Sequence, residues 1–167
     1  NPNKIKLVKL TKNEELRRLS KGFVIKLRKD DIDESWKDFH PFCFAGLNGS
    51  GKSNVLEALA SIFYHLECCT LNVEYSEYLK SDFNKTKSDL SAYELEYYII
   101  PKDSKKQIVE NYIKVIIHKE NEKAPVLKII SQDQIIESEF IEVNTNIRSF
   151  LPEFVIGYSS GENEILS

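Results

Sequence analysis

Between Gly46 and Asn54 the chain reads Gly-Leu-Asn-Gly-Ser-Gly-Lys-Ser-Asn, which fits the pattern G-x-x-x-x-G-K-[ST]. Residues of these types at this spacing suit one task, wrapping a chain of phosphates. Glycines at 46, 49 and 51 have no Cβ, so backbone N–H groups can turn toward a phosphate and approach it closely. Lys52 can reach the β- and γ-phosphates of a nucleotide, and the Ser53 hydroxyl suits a Mg2+ ion. Gly46, Asn48, Gly49, Ser50, Gly51, Lys52, Ser53 and Asn54 are therefore the candidate residues for ATP, with Lys52 the candidate catalytic group and Ser53 the metal ligand. With glycine near 7% of residues in ordinary proteins, a chance match in a chain this long arises roughly once in a hundred.

Such a loop needs a strand before it and a helix after it. Pro41-Phe42-Cys43-Phe44-Ala45 is a short apolar run with strand character, and Val55, Leu56, Leu59, Ile62, Phe63 and Leu66 recur at helical spacing. That order sets the phosphate at a helix N-terminus, where unpaired N–H groups and the helix dipole favour an anion. Upstream, Ile5–Leu10 and Phe23–Leu27 read as strands joined by a polar connection, and an acidic loop, Asp30–Asp38, leads into the run before the glycines. Downstream, Asn72–Ser91 is polar and reads as an exposed insertion or mobile loop. Strand signals follow at Tyr93–Ile100, Ile108–His118, Val126–Ile130 and Ile135–Val143, separated by short polar turns. Short connections imply antiparallel neighbours, because a parallel pair needs a crossover of a dozen or more residues. The expected architecture is α/β: a mixed sheet around the phosphate-binding loop, carrying an antiparallel β-rich subdomain. The expected segments are 1–70 (strands, loop and helix), 71–150 (insertion and antiparallel strands) and 151–167.

The 167 residues, 29% charged and 41% hydrophobic, suffice for one domain with a substantial core. No apolar run approaches a membrane span, and the basic N-terminus lacks a signal-peptide core, so no membrane partner is expected. Cys43, Cys68 and Cys69 lack metal-ligand spacing, and adjacent thiols at a helix end suggest a reduced, cytoplasmic pair. His40, His65 and His118 stand apart from one another and from the cysteines, as surface or core residues. Charge is uneven: residues 1–29 carry ten basic and two acidic groups (net +8), the remainder thirteen and twenty-four (net −11). Lys4, Lys6, Lys9, Lys26 and Arg28 alternate with apolar residues, as on half-exposed strands, though such a segment could also meet a nucleic-acid backbone.

Near the C-terminus Phe154-Val155-Ile156 leads into Gly157-Tyr-Ser-Ser-Gly-Glu-Asn163. Alone, Ser-Ser-Gly-Glu is ordinary helix-start chemistry. Together with Gly46–Asn54 and the following Val-Leu-Glu-Ala-Leu, it resembles the ABC-type ATPases of the SMC/RecF/OLD kind. Asn48 and Asn54 match that group's Walker A loop, and Ser159-Ser160-Gly161-Glu162 is similar to its signature motif. The whole chain resembles bacterial AAA-family ATPases associated with restriction systems, although only the two motifs are specific. The resemblance implies a P-loop NTPase of ABC-ATPase type, of which this chain is the N-terminal part of one head. It also implies a head-to-tail homodimer that sandwiches ATP. Gly46–Asn54 would hold the nucleotide in one head, and Ser159, Ser160, Gly161 and Glu162 would meet the nucleotide of the facing head. The implied setting is bacterial restriction or antiphage defence, with DNA or a nuclease as partner.

One part of that pattern is missing. The family places a Walker B segment, four apolar residues followed by Asp and Glu, shortly after the signature, and the chain stops at Ser167. Tyr98-Ile99-Ile100 runs into Pro101, and Val126–Ile130 into Ser131 and Gln132, so neither substitutes. Gln132 or Gln134 is a candidate for the family's Mg2+-sensing glutamine. ATP binding is expected of this chain, and hydrolysis only of a longer protein or with a partner. The alternative is a non-hydrolytic, nucleotide-sensing dimerisation module that controls an effector. A P-loop kinase would not account for the β-rich part. A GTPase is excluded: Asn84-Lys85-Thr86-Lys87 lacks the aspartate that reads guanine.

Overall fold

Tyr93-Glu-Leu-Glu-Tyr alternates large apolar and acidic side chains, and that period of two builds one wet face and one dry face of a strand. The computed structural model, which describes residues 4–10, 22–27, 43–71, 83–100, 113–130 and 139–152, forms six strands from such segments. They are β1 (Lys4–Leu10), β2 (Val24–Lys26), β3 (Tyr93–Ile99), β4 (Ile113–Lys119), β5 (Val126–Ile130) and β6 (Ile141–Glu142). Their order in the sheet is β2-β1-β3-β4-β5-β6. Every pairing is antiparallel, and a register shift between Ile5 and Leu7 puts a bulge into β1 where it meets β3.

Among the described residues one α-helix, α1 (Lys52–Thr70), covers the dry face. The apolar stripe read from sequence is the face it buries: Val55, Leu59, Ile62, Phe63 and Leu66 are buried and Leu56 is half-buried. They pack against Tyr93, Leu95, Tyr97 and Ile99 of β3, Val115 and Ile117 of β4, and Leu127 and Ile129 of β5. The rings of Phe63 and Tyr97 meet edge-on at 5.8 Å. A 3-10 helix (Thr145–Phe150) closes one end of this core, with Asn144 Oδ1 capping it by accepting from Asn146 N at 2.9 Å. It is tied to α1 by the Arg148–Glu67 ion pair and to β3 by Tyr97 O–H, which donates to the Phe150 carbonyl at 2.7 Å.

Several expectations change. Of the expected strand Pro41–Ala45, Pro41 and Phe42 lie outside the described residues and Cys43–Ala45 is irregular, with no described strand beside it to complete a ladder. The sheet is antiparallel throughout the described residues, not mixed, and β1–β2 join β3 in one sheet that runs across the expected boundary at residue 70. Of the last expected strand, Ile135–Val143, residues 135–138 lie outside the described residues, and among the rest only Ile141–Glu142 are paired as strand.

The expected insertion is also less loose than its composition suggests. Asn84 Oδ1 accepts from both the backbone and the hydroxyl of Thr86 at 2.9 Å, forming a local turn. Ser61 of α1 donates to Asp89 at 3.1 Å, and Lys85 faces Glu142 at 3.4 Å. From β4, Lys119 reaches in with no exposed surface and donates to the carbonyls of Thr86, Ser91 and Glu120 at 2.9, 3.1 and 3.3 Å. Residues 72–82 of that stretch lie outside the described residues.

Candidate phosphate-binding site

The glycines set the shape of the loop. Gly49 and Gly51 hold φ of 80° and 90°, a left-handed backbone that side chains disfavour. Between them, Ser50 N donates to the Leu47 carbonyl at 3.1 Å and closes a tight turn. Gly51 is the N-cap of α1, and its first helical bond runs from Val55 N to the Gly51 carbonyl at 3.2 Å. No side chain caps this end of the helix and no acidic residue stands in its first turn. The positive end of a 19-residue helix therefore faces the loop without a carboxylate to offset it.

Lys52 is the first helical residue, yet its side chain turns back over the loop. Its Nζ donates to the carbonyls of Gly46 and Leu47 at 2.7 and 2.9 Å, and lies 3.5 Å from Ser50 Oγ. Asn48 and Ser53 are exposed and Asn54 is half-buried. The eight loop residues singled out from sequence thus form one continuous feature around a cation and a helix N-terminus. Such an arrangement can attract an anion and offer it N–H donors and an ammonium group. One participant was missed: the Leu47 carbonyl. A backbone acceptor leaves no mark on residue type, and only the folded turn reveals it.

No protein-family model matches the chain, and neither a curated protein nor a solved structure matches it significantly. The site therefore stands on its own residues. Ser159, Ser160, Gly161 and Glu162 lie outside the described residues, as do Gln132 and Gln134, so nothing is assigned to them from structure.

Elsewhere, titratable groups gather at the C-terminal end of α1. His65, expected to stand apart from the cysteines, has Nε2 3.8 Å from Cys69 Sγ, one helical turn away, and its ring is buried and tilted against Phe83. Burial holds its pKa below the ordinary histidine value, with Lys119 adding to the effect. Burial likewise pushes Cys69 up to about 12 and raises Cys68, so both thiols are inert, whereas Cys43 is exposed. All three are free thiols, and no metal-binding group of three ligands occurs among the described residues. This cluster is core and takes no part in the loop. His118, at the other side of the sheet, faces Glu120 at 3.7 Å. Among the described residues, no helix is long and apolar enough to cross a membrane.

Proposed function

We propose that the chain binds Mg·ATP through Gly46–Asn54, as the N-terminal part of an ABC/SMC-like ATPase head. The observation that carries this reading is the Lys52 ammonium group poised over the glycine loop at an uncapped helix N-terminus. Backbone N–H groups around Gly49 and Gly51 would take the phosphate oxygens. Lys52 would exchange its carbonyl partners for the β- and γ-phosphates, and Ser53 would ligate the Mg2+ that offsets the remaining charge. Those roles are local, and they require no other part of the chain.

Beyond binding, the proposal rests on the likeness of two motifs to the SMC/RecF/OLD group. Under it, ATP bridges two copies head-to-tail, with Ser159–Glu162 of one facing the loop of the other, in a restriction or antiphage system that acts on DNA. No run of apolar residues ending in Asp-Glu occurs in these 167 residues, so turnover is assigned to a longer protein or a partner. A nucleotide-controlled pairing module without hydrolysis uses the same site and is the second reading.

Equilibrium competition separates phosphate recognition from base recognition. Fluorescent ATP with Mg2+ is expected to bind saturably, to be displaced by inorganic triphosphate, and to resist AMP. No phosphate should be released over hours by this chain alone. Displacement by AMP as readily as by ATP would contradict the phosphate-loop reading, and sustained Lys52-dependent phosphate release would contradict the assignment of turnover elsewhere.

A further inference from the structure

We infer that the Ser50 hydroxyl is a positioning group for Lys52, and that residue 46 is glycine because this hydroxyl occupies the space a side chain there would need. The inference deepens the phosphate-binding reading of the loop and rests on it. Three observations converge on the same oxygen. Gly46 is absent from the glycines with left-handed backbone, which are Gly22, Gly49 and Gly51, so its conformation does not demand glycine. A Cβ built at position 46 would stand 3.0 Å from Ser50 Oγ and 3.7 Å from Ser50 Cβ, with no other atom of the described residues within 4 Å apart from its chain neighbours. The first distance is tighter than ordinary contact, so the hydroxyl would have to give by a few tenths of an ångström, and the second is ordinary packing. Among the described residues the hydroxyl is therefore the one tight contact.

Among the described residues that same oxygen is the one side-chain acceptor beside the ammonium group, 3.5 Å from Nζ, against 2.7 and 2.9 Å for the Gly46 and Leu47 carbonyls. An ammonium group has three donors, and these three oxygens are arranged to receive them. The two carbonyls are held by the backbone turn, whereas a hydroxyl can rotate about its Cα–Cβ bond. When a phosphate takes over part of the ammonium group, Ser50 can follow Lys52 while the carbonyls stay behind. A side chain at 46 would not break the loop. It would turn the hydroxyl away and leave Lys52 less restrained.

A double-mutant cycle tests this on Mg·ATP affinity. Ser50→Ala is expected to weaken binding about fivefold, the scale of one modest contact to a charged group. Gly46→Ala should do the same, because it displaces the same hydroxyl. The double variant should lose about fivefold rather than the product, roughly 25-fold, since its Cβ meets only the alanine carbon at an ordinary distance. Multiplying losses, or wild-type affinity in Ser50→Ala, would overturn the inference. A second readout needs no nucleotide: acylation of the Lys52 amine, followed by mass spectrometry, should speed up equally in both single variants and no further in the double. If wild-type protein binds no Mg·ATP but Lys52 reactivity follows this pattern, the phosphate reading fails and the positioning role stands. If reactivity does not change in either single variant, the positioning role fails whatever the affinities show.

Discussion

Lys52→Ala is expected to lower the affinity for Mg·ATP by on the order of a hundredfold or more, with the fold left intact. The size follows from what the side chain would do. Hydrogen bonds to charged groups contribute about 1.5–3 kcal/mol each, and Lys52 would make two of them to phosphates. The small effect on folding follows from where the side chain is. Its present partners are loop carbonyls at exposed positions, which water can serve when the ammonium group is gone. Lys52→Arg should not restore binding fully, because a planar fork cannot reproduce a compact point charge inside a tight loop. Binding by titration and unfolding by circular dichroism check the two halves separately. Affinity within twofold of wild type for Lys52→Ala would contradict the assignment.

Lys119→Met should have the opposite signature, an intact binding loop in a weakened fold. Methionine keeps most of the stem volume but donates nothing, leaving the carbonyls of Thr86, Ser91 and Glu120 without the donor they now share. A fully buried acceptor left unsatisfied costs about 1–3 kcal/mol, and these carbonyls, on half-buried Thr86 and Ser91 and exposed Glu120, recover part of that from water. The expected loss is about 3 kcal/mol, or roughly a 10 °C fall in Tm for a chain of this size. Released from Lys119, the Phe83–Ala92 segment should also become more accessible to protease. A midpoint unchanged within error would mean that Lys119 is held by its neighbours and does not hold them.

Part of the loop's shape was legible in the sequence because it resides in residue types. Glycines 46, 49 and 51 read alike as places of close backbone approach, and the structure gives 49 and 51 the left-handed backbone that favours glycine, with Lys52 and Ser53 at the helix start where the spacing puts them. The helix was legible because six apolar positions kept one period over twelve residues, β3 because large apolar side chains alternate with glutamates, and β4 and β5 because short runs rich in Ile and Val lie between polar turns. What failed depended on partners. Cys43–Ala45 has strand composition, but a strand exists only if a neighbour completes its hydrogen bonds. Lys119 would be placed on the surface by its type, yet it is fully buried, because two carbonyls of the distant 86–91 stretch and that of its neighbour Glu120 converge on it. The 3-10 helix at Thr145–Phe150 is too short to show a period. The tie between Gly46 and Ser50 is the distance from the place a Cβ would take at Gly46 to the Ser50 hydroxyl, and it left no trace in either residue alone.

The most direct test of Mg·ATP binding at the glycine loop is the change in backbone amide chemical shifts when Mg·ATP is added to the labelled chain. The largest shifts are expected at Gly46–Asn54 and the first turn of α1, absent in Lys52→Ala and reproduced in the loop by inorganic triphosphate. Shifts centred elsewhere, on the outer strands of the sheet or around His65 and Cys69, or no shifts at all at millimolar nucleotide, would contradict that assignment.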